Sequence, residues 1–215
     1  MAKLSVVATP IGNLEDITLR ALRILKEADV VACEDTRDTR KLLSHFDIHT
    51  PTMTLSHVPR LLAEGKHVAL VSDAGTPGVS DPGLEIVAHA RDAGAKIETI
   101  PGASALAAAI AIAGLKASSF TFYGFLPVKK GRETLFKEIG ATKRASIFYE
   151  SPHRIMKALT SLAASLAAGR RVGIFRELTK IYEEALIGTP GELLAILTND
   201  PQKIRGEFVV IVESL

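Results

Sequence analysis

Val68-Ala69-Leu70-Val71-Ser72-Asp73-Ala74-Gly75-Thr76-Pro77-Gly78-Val79-Ser80-Asp81-Pro82-Gly83 joins a wholly apolar run to an irregular loop. The run Val68 to Val71 reads as a strand buried on both faces, as the strands of parallel sheets are. The loop that leaves it holds three glycines and two prolines. So little side-chain bulk lets backbone N–H and C=O groups approach a ligand closely at the carboxyl end of a parallel strand. A plain surface loop is the competing reading. Two further segments repeat the logic: Thr9-Pro10-Ile11-Gly12-Asn13 after a first strand, and Pro101-Gly102-Ala103-Ser104 after a fifth. Three such turns are expected to converge on one rim suited to a small polar ligand.

Outward from this stretch, apolar runs alternate with helical spacing, which predicts a parallel, doubly wound sheet. The expected strands are Leu4 to Ala8, Val30 to Cys33, Thr52 to Leu55, Val68 to Val71 and Ile97 to Ile100. A helix capped by Asp16 is expected through Ile17, Ala21, Leu22, Leu25 and Ala28, and another over Thr36 to Phe46. An Ala-rich helix, Ala105 to Gly114, has a first turn whose free N–H groups suit a carboxylate. From Phe120 the texture changes to aromatic and β-branched strands at Phe120 to Tyr123, Ser146 to Tyr149, Val172 to Phe175, Tyr182 to Ile187 and Phe208 to Val212. Ser151-Pro152 and Thr189-Pro190 are expected to start helices there. The fold class is therefore α/β with two domains, residues 1–117 and 118–215, divided at the small, polar residues Gly114 to Ser119.

The totals restrict the function classes. An apolar fraction of 47% with 23% charged residues is that of an ordinary globular chain. A net charge of +2 provides no global field for nucleic acid, so any such affinity needs a local basic surface. The longest apolar run, Ala103 to Leu115, is thirteen residues, short of the about 20 needed for a membrane span. A lone cysteine, Cys33, and no leader-like start make a reducing cytoplasm the expected setting. The six histidines are scattered, and no metal is expected. There is neither a dinucleotide G-x-G-x-x-G after a strand nor a nucleotide P-loop.

Seven segments carry a further reading. Ala8 to Leu14, Glu34-Asp35-Thr36-Arg37, Ser72 to Gly83, Pro101 to Ser104, Phe125-Leu126-Pro127, Phe148 to Arg154 and Arg176 to Lys180 resemble, in order, motifs of the tetrapyrrole-methylase superfamily. In wording they are most similar to its branch that methylates a ribose 2'-hydroxyl of small-subunit ribosomal RNA, at a cytidine of the 16S decoding region. The resemblance implies two α/β domains of the class III S-adenosylmethionine methyltransferase type, a cofactor cleft between them, and a homodimer with 16S RNA or the small ribosomal subunit as partner. It places Pro10, Asp73, Ala74, Gly75, Thr76, Ser104 and Ala105 against S-adenosylmethionine, joined by Tyr149 and Leu178. Candidates for catalysis are Glu177 and Glu150 as proton acceptors, with Arg176 and Lys180 holding phosphate or lowering the hydroxyl pKa. Glu34, Asp35 and Arg37 are candidates for orienting substrate. Lys129, Lys130 and Arg132, with Lys143 and Arg144, form a basic cluster for RNA. The alternative for the four catalytic candidates is a surface ion pair, for Glu34, Asp35 and Arg37 a capped, solvated helix start, and for the basic cluster a solvated loop. One departure stands out: His57 runs straight into Val58-Pro59-Arg60, about ten residues short of the family pattern. Methylation of a porphyrin precursor, and a noncatalytic ligand-sensing or RNA-binding module, stay open as other readings.

Overall fold

In the computed structural model, which describes residues 1–215, the runs of the first hundred residues alternate as Lys3–Val7 (β1), Leu19–Glu27 (α1), Val30–Cys33 (β2), Thr36–His45 (α2), Thr52–Thr54 (β3), Val58–Ala63 (α3), His67–Leu70 (β4), Gly83–Asp92 (α4) and Lys96–Ile100 (β5). The five strands form one parallel sheet in the order β3-β2-β4-β1-β5. Strand side chains alternate between faces. Val7, Val31, Ala69, Val71 and Ile100 therefore pack on α1 and α2 through Ala21, Ile24, Leu25 and Leu43. Leu4, Ala32, Val68 and Leu70 take the other face, against Val58, Leu61 and Leu62 of α3 and Ala90 of α4. Each of the valine, leucine and isoleucine side chains among these contributes roughly 1.5–3 kcal/mol relative to exposure.

The helix that follows β1 lies on one face and the helix that follows β4 on the other, although β1 and β4 are neighbours. The carboxyl ends of β1 and β4 therefore mark the switch point of the sheet, the place where α/β sheets bind ligands.

The chain continues through Ala105–Ala113 (α5), Phe120–Phe125 (β6), Arg132–Ala141 (α6), Ala145–Glu150 (β7), Ile155–Ser165 (α7), Val172–Arg176 (β8), Glu184–Gly188 (β9), Pro190–Asn199 (α8) and Phe208–Val212 (β10). The second sheet is mixed, in the order β6-β7-β10-β8-β9. One face packs Phe148, Val172, Ile174, Phe208 and Val210 against α6, α7 and α8 through Phe136, Ile139, Ile155, Leu159, Leu162, Leu193 and Leu197. On this sheet α5 packs against β10 and β9. The two compact units are accordingly Met1–Ser104 and Ala105–Leu215, so the division precedes the Ala-rich helix instead of following it at 117/118.

Three local expectations shift. Thr18, not Asp16, caps α1, accepting the Ala21 N–H at 3.0 Å; Asp16 closes a short 3-10 turn. Ser151-Pro152 forms a turn, and α7 starts only at Ile155 with no side-chain cap. The strand expected from Tyr182 begins at Glu184, leaving Tyr182 exposed. At His57, where the sequence is about ten residues short of the family pattern, a 3-10 turn, Leu55–His57, passes directly into α3. Thr189-Pro190 behaves as its chemistry dictates, with a complete capping box to Glu192.

One buried arginine ties the second unit together. Arg170 Nε donates to Glu213 O at 2.8 Å, and its two Nη atoms reach Ile139, Gly140 and Thr142 carbonyls at 3.0–3.2 Å. These are the carbonyls that the last turn of α6 leaves without helix partners. Arg170→Ala is expected to cost about 3 kcal/mol, because several charge-assisted bonds vanish and buried acceptors stay unpaired. Urea unfolding of the variant measures it.

Candidate functional site

The turns after β1, β4 and β5 meet. Thr9 N–H donates to Gly75 O at 2.9 Å, and Gly75 N–H donates back to Thr9 O at 3.1 Å. Thr76 Oγ1 donates to Ala103 O at 3.0 Å. Gly75 has a φ of +80°, and a Cβ built on it would lie 3.1 Å from Ile11 Cγ2 and 3.7 Å from Ala103 O. A Cβ on Gly102 would lie 3.0 Å from Ala8 Cβ. Close approach, as well as conformational freedom, therefore requires glycine here. Pro10 and Gly75 are buried, Thr76 and Ser104 half-buried, and Asp73 and Ala74 exposed.

Asp81, which the sequence reading passed over, holds this loop in shape. Its carboxylate accepts the Gly78 N–H at 2.8 and 2.9 Å and the Gly83 N–H at 2.7 Å, pinning the loop to the start of α4. An aspartate between two glycines is the signal that could have found it.

The acidic rim beside β2 divides into used and free groups. Asp35 caps α2 through the Arg37 N–H at 2.8 Å and pairs with the Arg37 guanidinium at 2.6 Å. The Arg37 side chain, with its N–H, holds the Asp35 carboxyl down to about 2. Asp35 and Arg37 thus satisfy each other, the solvated-cap alternative for this pair. Asp73 Oδ1 accepts the Asp35 N–H at 3.4 Å. Glu34 is exposed and makes no hydrogen bond or ion pair. Partial burial, then the neighbouring Asp73 and Asp81 charges, push its carboxyl above the ordinary value.

The second unit has a rim of its own. β6 runs parallel to β7, and β7 and β8 are each antiparallel to β10, so β6, β7 and β8 all point their carboxyl ends to one edge. Three of the singled-out segments, at 125–127, 148–154 and 176–180, are gathered there.

Their charged residues are paired, which corrects several expectations. Glu150 is 1% exposed and bonds Arg132 Nη2 at 2.6 Å and Arg154 Nε at 2.8 Å, and it accepts the Ser151 N–H. It is sealed away and is no proton acceptor for a substrate. Arg132, 7% exposed, is not part of an RNA-facing surface. Arg176 is buried too, with its Nη1 on Glu184 at 3.2 Å. Glu177 and Lys180 are bonded to each other at 2.9 Å, and Lys180 also reaches Glu207. Leu178, between them, is buried. Lys129, Lys130, Lys143 and Arg144 stay exposed. The ring of Tyr149 meets Phe122 and Phe125 edge-on at 5.0 and 5.4 Å. Burial pushes its hydroxyl up, opposed by a hydrogen bond with the Leu106 backbone.

The 177–180 turn is strained: Glu177 has a φ of 50° and Thr179 of 66°. Glu177 holds it by accepting the Lys180 ammonium and the Glu207 N–H. Burial pushes this carboxyl up, but those bonds outweigh it and leave it below the ordinary 4.5. A carboxyl lowered on folding stabilises above its unfolded value and loses that contribution as pH falls through the folded one. Acidification below 4.5 is therefore expected to loosen this turn before global unfolding, read as a smaller amide-exchange protection factor at Glu207, with the intrinsic rate at each pH divided out.

Comparisons with known proteins show the family and the fold. The profile described as Tetrapyrrole (Corrin/Porphyrin) Methylases matches residues 3–194. "Ribosomal RNA small subunit methyltransferase I" of Halalkalibacterium halodurans is 50% identical, with 98% of this chain and 75% of that protein covered. The protein of the same name from Xylella fastidiosa is 46% identical over 98% of this chain and 81% of its own length. The crystal structure of uroporphyrin-III-C-methyltransferase from Thermus thermophilus superposes with a TM-score of 0.69, covering 99% of this chain and 95% of that one, and at 20% identity it shares the fold. The chain belongs to the tetrapyrrole methylase family and, within it, to the ribosomal RNA small subunit methyltransferase I group.

Proposed function

We propose that the protein is an S-adenosylmethionine-dependent methyltransferase that modifies the ribose 2'-hydroxyl of a cytidine in the decoding region of 16S ribosomal RNA, working in the cytoplasm as a homodimer. The observation that carries this reading is the meeting of the Thr9, Gly75 and Ala103 turns at the switch point of the first sheet. The names of relatives up to 50% identical supply the substrate class.

The residues fit the cofactor. Gly75 and Gly102 let the three turns pack closely, since a Cβ on either would press on the Ile11 or Ala8 side chain. Glu34 and Asp73 put carboxylates on the same rim, which favours a ligand carrying positive charge. Pro10, Ala74, Gly75, Thr76, Ser104 and Ala105 would hold it mainly through the main chain, and Asp73 through its side chain. When bound, S-adenosylmethionine supplies a methyl carbon activated by an adjacent sulfonium charge.

The chain's own contribution is alignment and proton removal. Holding two reactants in attack geometry supplies roughly 7–11 kcal/mol. The hydroxyl proton needs an acceptor, and Glu150 and Glu177 are both committed to arginine or lysine partners. We assign that role to the Glu34 carboxylate, unpaired and more basic than an ordinary glutamate. Glu34→Gln is expected to lower kcat by about a hundredfold, within the range of general-base contributions, with affinity for S-adenosylhomocysteine kept. An unchanged kcat overturns the assignment. The function itself is tested by tritiated methyl transfer to small ribosomal subunits lacking the modification. Methyl incorporation into a base, or into none of the RNA, refutes it.

A further inference from the structure

The loop between β6 and α6 has two unlike ends. Inside, Arg132 Nη1 donates to the Pro127 carbonyl at 3.1 Å and Arg154 Nη1 to the Leu126 carbonyl at 3.2 Å. Both guanidinium groups are pinned by the one buried carboxylate of Glu150. Arg132 also lies 5.1 Å over the Phe136 ring. Outside, Phe125 is 53% and Val128 69% exposed, and Lys129 and Lys130 project without an ion-pair partner. The nearest acid along the chain, Glu133, is turned to Ser161. Phe125 leans edge-on against Tyr149, which fixes its ring while leaving half of it free.

A loop that buries its anchors and exposes two cations with an aromatic face is built for a polyanion that also offers stacking surfaces. Unpaired RNA is such a ligand; in a duplex the bases are stacked away from a side-on ring. Resting on the reading of this chain as an RNA methyltransferase, we propose that the Phe125–Gly131 loop is a preformed prong that grips unpaired RNA, and that Glu150 is its positioning residue. Lys129 and Lys130 contact phosphates, Phe125 stacks on a base, and Glu150 holds the loop through Arg132 and Arg154. Ordering the loop in advance removes an entropy cost that binding would otherwise carry.

The test uses the full chain, a fluorescein-labelled single-stranded RNA of about a dozen nucleotides, and the same RNA as a duplex. Lys129→Glu with Lys130→Glu is expected to weaken single-strand binding at least tenfold. It should also flatten the salt dependence by about 1.4 in slope, for two single-strand phosphate contacts. Phe125→Ala is expected to lose about tenfold on the single strand and nothing on the duplex. S-adenosylhomocysteine binding by calorimetry should be unchanged in both. Wild-type affinity in the lysine variant, or equal losses of Phe125→Ala on both RNAs, overturns the proposal. So does a loss seen with ribosomal subunits but not with naked RNA, since the loop's partner would then be protein. The two readings fail separately. Wild-type methylation with unaffected variants sinks the prong alone, whereas prong-dependent RNA binding without methyl transfer sinks the enzymatic reading alone.

Discussion

Glu150→Gln is expected to destabilise the second unit by about 3–5 kcal/mol, the usual cost of leaving a buried charge without its counterion. The amide keeps the shape of the carboxylate but not its charge. Arg132 and Arg154 would then face each other across an uncharged partner, with side-chain exposures of only 9% and 21%. Against a typical total of about 5–15 kcal/mol, the loss should appear directly as a lower urea midpoint. A second variant separates stability from positioning. Replacing the whole triad, as Glu150→Met with Arg132→Met and Arg154→Leu, removes every buried charge, and such replacements are often neutral or stabilising. That variant is expected to regain most of the stability, yet not RNA affinity, because nothing then bonds the Leu126 and Pro127 carbonyls. Recovery of both properties together would mean that the triad serves packing only.

This same triad marks where sequence reading runs out. The run Val68 to Val71 and the glycines that follow it carry local information: burial on both faces, and turns with no room for a Cβ. From these the parallel sheet and the meeting of three turns follow, and the Thr9–Gly75 bridge realises them. The fate of a charged side chain is not local. Glu150 lies two residues on from Phe148, hence on the sheet face that α6, α7 and α8 cover, and there Arg132 and Arg154 close over it. Nothing in Phe148 to Arg154 shows that Arg132, from a helix earlier in the chain, will meet it. A glutamate beside an arginine motif therefore reads as a candidate base and proves to be an anchor. The helix Ala105–Ala113 misleads for a related reason: its small residues fit either sheet, and only the packing against β10 and β9 assigns it to the second unit. Glu34 shows the opposite case. Its position after a strand was legible, but its lack of any partner, which suits it to proton transfer, was not.

Gly75→Val is expected to raise the dissociation constant for S-adenosylhomocysteine at least a hundredfold, about 2.7 kcal/mol, while leaving a folded protein. Two costs act at once. A β-branched residue at a φ of +80° is strained, by roughly 1–2 kcal/mol. The new Cβ also lies 3.1 Å from Ile11 Cγ2, too close for valine's methyl groups to follow without displacing the turn. Displacement breaks the reciprocal Thr9–Gly75 bonds and, through Thr76, the bond to Ala103, so all three turns lose register together. A control separates strain from crowding. Gly65 has a similar φ of +76°, yet a Cβ there meets nothing within 4 Å. Gly65→Val should therefore lose comparable stability in thermal unfolding and keep its affinity for S-adenosylhomocysteine. Equal affinity losses at both positions would assign the effect to general loosening of the first unit. Full affinity in a folded Gly75→Val would show that the meeting of the three turns is not where the ligand is held.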